Sequence, residues 1–307
     1  MESSLRHTVV TGRFTLVATL VACALICLLT GYDFGRDWAG LLYVCVAVLV
    51  FYIPYNSLSI IRTPTQLLPS LFLLYVTGVV VTGGFDRSFI APLMFLPAQY
   101  CLFRTYQNMH SERYLFHAYL FLGLGALFAV EFSVFLLLYF IVLLVRLQSF
   151  SLRAVAAAIV GLLVAAEFIA GYDLLTGREE ILVSHFTVPE DLRWENALHL
   201  DTMRLVDLGV WLLVFLPAFA CYRRKVFYDK IHIRICYSIL CVFVIASLVL
   251  YAVCPQHREA IYLLLVVESV PYLVYYFVYG EGRLANMCFS LFVLYLLVSP
   301  VLRIWMR

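Results

Sequence analysis

The chain has 307 residues, of which 64% are hydrophobic and 13% charged, and its formal net charge is +2. An ordinary soluble domain carries about 25% charged residues, and a soluble core of this size has no room for so many Leu, Val and Phe side chains. Composition therefore excludes a water-soluble globule and names the lipid bilayer as the solvent. So small a positive charge gives no footing for a nucleic-acid partner.

Inside lipid every backbone N–H and C=O must be paired within its own segment, which leaves helices or closed barrels. Residues 14–29 and 235–253 are continuously apolar and lack the alternation of a barrel strand. The fold class is therefore all-α, a polytopic transmembrane helical bundle. At about 20 residues per crossing the chain holds about eleven spans. They cover residues 14–32, 38–60, 67–83, 89–106, 114–129, 133–149, 154–172, 205–222, 235–253, 260–279 and 284–302, with Gly, Pro and charge at the breaks.

Arg6 and Arg13 precede the first span as they would in a signal peptide, but no small-x-small cleavage site follows in Leu28-Leu29-Thr30-Gly31-Tyr32. An uncleaved first helix is expected. The fifth and sixth spans are short, and Val130-Glu131-Phe132-Ser133 between them is a thin turn, so a re-entrant hairpin is the rival reading there. Residues 173–204 form the largest polar interruption and are rich in acid. Within them Thr187-Val188-Pro189-Glu190-Asp191 has Pro in the first turn and acids at the positive end of the dipole. A short interfacial helix is expected to follow, with Leu192, Leu198, Leu200, Met203 and Leu205 on its apolar side. No internal repeat breaks the chain, and residues 1–307 read as one membrane domain.

Lys and Arg favour cytoplasmic loops. With the N-terminus in the cytoplasm, 13 of the 21 basic residues fall inside, including the dense group Arg223-Arg224-Lys225, and the acid-rich loop of residues 173–204 lies outside. The expected location is a bacterial inner membrane. The inner basic group, with Lys230, Arg234 and the aromatic Tyr222, Phe227 and Tyr228, reads first as a topology anchor and also suits anionic headgroups. Membrane lipids are the one class of partner this pattern names; it identifies no protein partner. The nine cysteines are scattered through apolar runs, and Cys23 and Cys27 share a helix face as small packing residues.

Ionisable groups inside a bilayer are costly, so each needs a reason. Glu167 falls in the seventh span and Glu268 in the tenth, three residues before Pro271, whose missing N–H is expected to kink the helix beside the acid. The first outer loop carries Asp33 and Asp37 between aromatic residues, the second carries Asp86 and Arg87, the third Glu131, and the long loop Arg178-Glu179-Glu180. A carboxylate there could act as a general base for an acceptor hydroxyl, and an Arg beside it could hold a phosphate by two parallel hydrogen bonds. For any single one of these residues, a polar helix end at a water boundary is the simpler account. There is no Gly-rich phosphate loop, no His-x-x-x-His pair and no nucleophile elbow, so no cofactor and no metal site are expected. His185 and His199 are too far apart in the long loop to make one.

Two resemblances add to this reading. Leu67-Leu68-Pro69, Pro92-Leu93, His117 through Leu127 with its run Gly123-Leu124-Gly125-Ala126-Leu127, residues 132–146, Phe150-Ser151-Leu152-Arg153 and Gly161-Leu162 carry the first. Residues 66–176 resemble a family of uncharacterised polytopic inner-membrane proteins of Bacteroidetes, which implies the membrane fold and no particular activity. The second rests on the same Gly-Leu-Gly-Ala-Leu hairpin preceded by an acid-bearing first outer loop. It is similar to the GT-C membrane glycosyltransferases, which take sugar from a polyprenyl-phosphate donor outside the membrane. That similarity implies a GT-C-like helix arrangement, a catalytic base at Asp33 or Asp37, phosphate held by Arg87 or Arg178, and an acceptor side lined by Asp86 and Glu131. The leading expectation is a transferase using a polyprenyl-phosphate-linked sugar. The alternatives are a carrier whose intramembrane site is Glu167 and Glu268, coupled to protons, and a non-enzymatic envelope assembly subunit.

Overall fold

A computed structural model gives the fold, and it describes residues 5–32, 37–58, 60–63, 65–108, 111–147, 151–176 and 202–305. In chain order the helices are α1 (Leu5–Thr11), α2 (Thr15–Leu29), α3 (Trp38–Leu58), α4 (Leu67–Gly83), α5 (Ile90–Arg104) and α6 (Ser111–Ala126). They continue with α7 (Val134–Val142), α8 (Leu152–Thr176), α9 (Thr202–Lys225), α10 (Ile231–Val253), α11 (Arg258–Tyr279) and α12 (Arg283–Trp305). Among the described residues there are no strands. Each predicted apolar segment holds a helix, and the thin turn before α7 is a 3-10 turn, Val130–Ser133, that leads straight into it.

Among the described residues six stretches are long and apolar enough to cross a membrane: α3, Val130–Leu147, Thr202–Tyr228, α10, α11 and α12. Eleven spans were expected, and several of those segments hold shorter helices. α2 has 15 residues, α4 has 17 and α5 has 15, short of the roughly 20 that span the hydrocarbon. Of the expected loop, residues 177–201 lie outside the described residues, and with them the interfacial helix from Thr187. α8 runs past its expected end to Thr176.

Local chemistry explains the helix ends. α2 stops in a Schellman motif: Gly31 takes φ 65°, its N–H donates to the Leu28 carbonyl, and the Tyr32 N–H donates to the Cys27 carbonyl. Pro271 does not interrupt α11, which runs helical through it.

The chain divides into two compact units. The first comprises residues 1–86, 200–234 and 265–307, the second residues 87–199 and 235–264. In the first unit α4 is the core, buried from Leu67 through Thr77. Phe51 of α3 stacks on its Phe72 at 4.1 Å, and Tyr75 meets Phe292 of α12. Gly78 faces Pro300 and Gly40 faces Val80, so α4 runs parallel to α12 and antiparallel to α3. Basic residues gather at one end of this unit: Arg6 Nη1 donates to the Gly280 carbonyl, Arg62 pairs with Asp229, and Lys225 pairs with Glu281. The opposite end holds Asp37, Asp207 and Arg303.

The second unit packs on small residues. A methyl at Gly161 would sit 2.5 Å from the Phe116 carbonyl oxygen, and one at Gly123 would sit 2.7 Å from Ala165 Cβ. Ala154, Ala158, Gly161 and Ala165 line the buried stripe of α8, the small-residue spacing by which helices approach closely in lipid. Gly125 packs on Ala91 and Met94 of α5. The glycine run that carries both resemblances is thus, in this fold, a contact surface for α5 and α8. Phe95, Phe135, Tyr139 and Phe243 close the core, with Tyr139 stacked on Phe243 at 5.2 Å. Large apolar side chains on the candidate spans stay uncovered, among them Leu137, Leu213 and Leu291, each more than 60% exposed. Water would not tolerate that surface, and lipid requires it.

Candidate functional site

Asp33 and Arg178 lie outside the described residues. Asp37 is the N-cap of α3: its Oδ1 accepts the Gly40 N–H at 3.2 Å. Its Oδ2 accepts the Tyr32 hydroxyl at 2.7 Å and the Phe85 N–H at 3.3 Å. The carboxylate therefore ties the first and second loops of the first unit together. Loss of solvation, then the Asp37 hydrogen bond and charge, raise the Tyr32 phenol well above its ordinary value. Asp86, next to Phe85, is exposed, and so is Arg87, which opens the second unit in a 3-10 turn. Glu167 is exposed on α8.

Glu131 is 5% exposed and has a partner that sequence reasoning did not select. His257 Nδ1 lies 3.2 Å and 3.3 Å from its two carboxylate oxygens, within the second unit. His257 adopts φ 51°, a left-handed backbone that costs a non-glycine residue energy. Its carbonyl accepts the Ile261 N–H at the start of α11. Cys254 and Arg258 flank the pair, both buried. Burial first, and then the Glu131 charge, push the Cys254 thiol up to about 12 against the pull of Arg258. It is a thiol at neutral pH and no nucleophile. The one hint in the sequence is the polar run Pro255-Gln256-His257-Arg258-Glu259 between two apolar helices; nothing local joins it to Glu131.

Two further pairings went unselected. Asp207 on α9, 8% exposed, accepts the Tyr295 hydroxyl and pairs with Arg303 of α12. The two helices flank an open cavity of about 370 Å³, lined by apolar side chains such as Met203, Val206 and Leu294 together with Asp207, Tyr295 and Arg303. Asp229 pairs with Arg62 at the basic end.

Glu268 is 0% exposed. It is the eleventh residue of the 22-residue α11, about 15 Å from either end of the helix. That is the middle of the helix. Next to it Ser269 accepts the Trp211 indole N–H at 2.9 Å and donates to the Val266 carbonyl. Trp211 stacks on Phe215, and Tyr272 meets Phe215 edge-on. An acid sits here in an aromatic, hydrogen-bonded stretch of a buried helix. Among the described residues no three His, Cys, Asp or Glu side chains come together to hold a metal.

Fold and surface define the class, a helical membrane protein with six helices among the described residues able to cross a bilayer. Comparison with protein-family models, with curated proteins and with solved structures finds no match to this chain.

Proposed function

We propose that the protein is a membrane carrier whose working group is Glu268, moving a small solute together with protons. One observation carries the reading: a carboxyl with 0% exposure at the midpoint of a candidate membrane-spanning helix. A charge at that depth is expensive, and an acid kept there is a functional candidate by default. A carboxyl that takes up and releases a proton at the midplane is the elementary part of proton-coupled movement. Ser269 and Trp211 fix the backbone and packing around it.

The expected companion, Glu167, is exposed on α8, so the reading rests on Glu268 alone. The glycosyltransferase-like reading has less support. A general base needs a lone pair aimed at its substrate, and Asp37 spends three acceptor positions on capping and loop closure.

The test is flux. Full-length protein is reconstituted in vesicles loaded with a pH-sensitive dye, under an imposed pH gradient, and challenged with amino acids, sugars, organic acids and nucleosides. One solute class is expected to move the internal pH. Glu268→Gln is expected to abolish that response while keeping the elution profile, and Asp37→Asn to leave it intact. Undiminished flux in Glu268→Gln, or no response to any class, would sink the carrier reading.

A further inference from the structure

The basic end of the first unit holds a cavity with no part in the carrier reading. It measures about 290 Å³ and lies in the loop between α3 and α4, with Tyr52, Asn56, Arg62, Thr63, Thr65 and Leu68 on its walls. Among the described residues Arg62 is the one cation lining it. Its Nε donates to Asp229 Oδ1 at 2.6 Å, and the Tyr275 hydroxyl donates to Oδ2 at 2.9 Å. The Asp229 side chain is 1% exposed. A buried, doubly engaged carboxylate therefore grips one edge of the guanidinium and sets its plane.

A guanidinium has five N–H donors, and Nε uses one. The Nη nitrogens make no hydrogen bond among the described residues, and the side chain is 40% exposed. The Asn56 amide is exposed on the same wall. Leu68 and Pro69 in the first turn of α4 also line the cavity. Exposed Arg223, Arg224 and Lys230 keep this end of the unit positive despite Asp229.

A planar fork with free Nη donors matches two oxygens of a phosphate. Tyr52, 41% exposed on candidate span α3, has the amphipathic ring that suits the headgroup level. We propose that this cavity binds a phosphate group, held by the Nη edge of Arg62 with Asn56 as a further donor. The group arrives as a lipid headgroup or as free phosphate.

The test uses the full chain in a neutral detergent and three probes: dihexanoyl phosphatidylglycerol, inorganic phosphate and phosphate-free dihexanoylglycerol. Binding is measured by titration calorimetry on wild type, Arg62→Gln and Asn56→Asp. Asn56→Asp leaves the Asp229 pair untouched, so the test stands even where Arg62→Gln fails to fold. Phosphatidylglycerol is expected to bind wild type, about tenfold more weakly in Arg62→Gln and about threefold more weakly in Asn56→Asp. That pattern supports a lipid source. The same dependence for inorganic phosphate, without tighter lipid binding, supports the site with a free source. Equal binding of the phosphate-free lipid, unchanged affinity in Asn56→Asp, or no binding of either phosphate probe overturns the proposal.

Discussion

Replacing Gly161 with alanine sets two effects of known size against each other. Alanine is the better helix former by about 1 kcal/mol, and Gly161 sits inside α8. Its new Cβ would stand 2.5 Å from the Phe116 carbonyl oxygen, 3.2 Å from the Leu120 nitrogen and 3.3 Å from the Phe116 carbonyl carbon, where ordinary contact begins at 3.4 Å. All three are backbone atoms of α6, so no side-chain rotation relieves the clash. α6 would have to back away along a seam that Gly123 and Ala165 also hold tight. Overpacking of this kind costs about 1–3 kcal/mol, and backbone contact places it at the upper end. The clash wins by about 1–2 kcal/mol, equivalent to a Tm lower by roughly 3–6 °C. Gly171 in the same helix has nothing within 4 Å of its would-be Cβ, so Gly171→Ala collects the helix gain alone and holds or raises Tm by about 2 °C. The assay is intrinsic-fluorescence melting of both full-length variants in one detergent at one scan rate, because membrane-protein melts are often irreversible. A Gly161→Ala protein as stable as Gly171→Ala would refute the close-packed α6–α8 seam.

Two further outcomes follow from the buried charges. The native Cys254 thiol keeps its proton up to about 12, while an unfolded thiol releases it near 8.5; the unfolded state then binds fewer protons, so stability falls as pH rises from about 8.5. The Tm drop between pH 8 and pH 10 is expected to be smaller in Cys254→Ala than in wild type, and an equal drop would count against this. Asp207 holds both Arg303 and Tyr295, so Asp207→Ala and Arg303→Ala should each destabilise by about 2 kcal/mol, and the double variant by clearly less than their sum; additive melting shifts would show that the pair is uncoupled.

Helix positions were legible in the sequence because lipid makes hydropathy a direct record of helices. Residues 67–83 were expected as a span and form α4; residues 38–60 were expected where α3 covers Trp38–Leu58. Pairings were not legible. Asp229 meets Arg62 across 167 positions, and Glu131 meets His257 across 126. Lateral order in a bundle leaves no local trace, so each acid read alone looks like an ordinary polar helix end. Asp37 shows the opposite hazard. Its place between aromatic residues suggested chemistry, and its hydrogen bonds cap α3 and hold Tyr32 and Phe85. Glu268 stood out because a carboxyl in an apolar run is costly wherever its neighbours lie.

α11 is the least hydropathic of the six candidate spans and almost wholly enclosed by protein, with Phe277 covered edge-on by Phe289 of α12. Lipid alone is a poor host for a segment carrying Glu268 and so many tyrosines. During synthesis it cannot rest in the bilayer as an independent passenger awaiting later arrivals. Its place depends on the helices that enclose it, because an acid left in oil without them is costly.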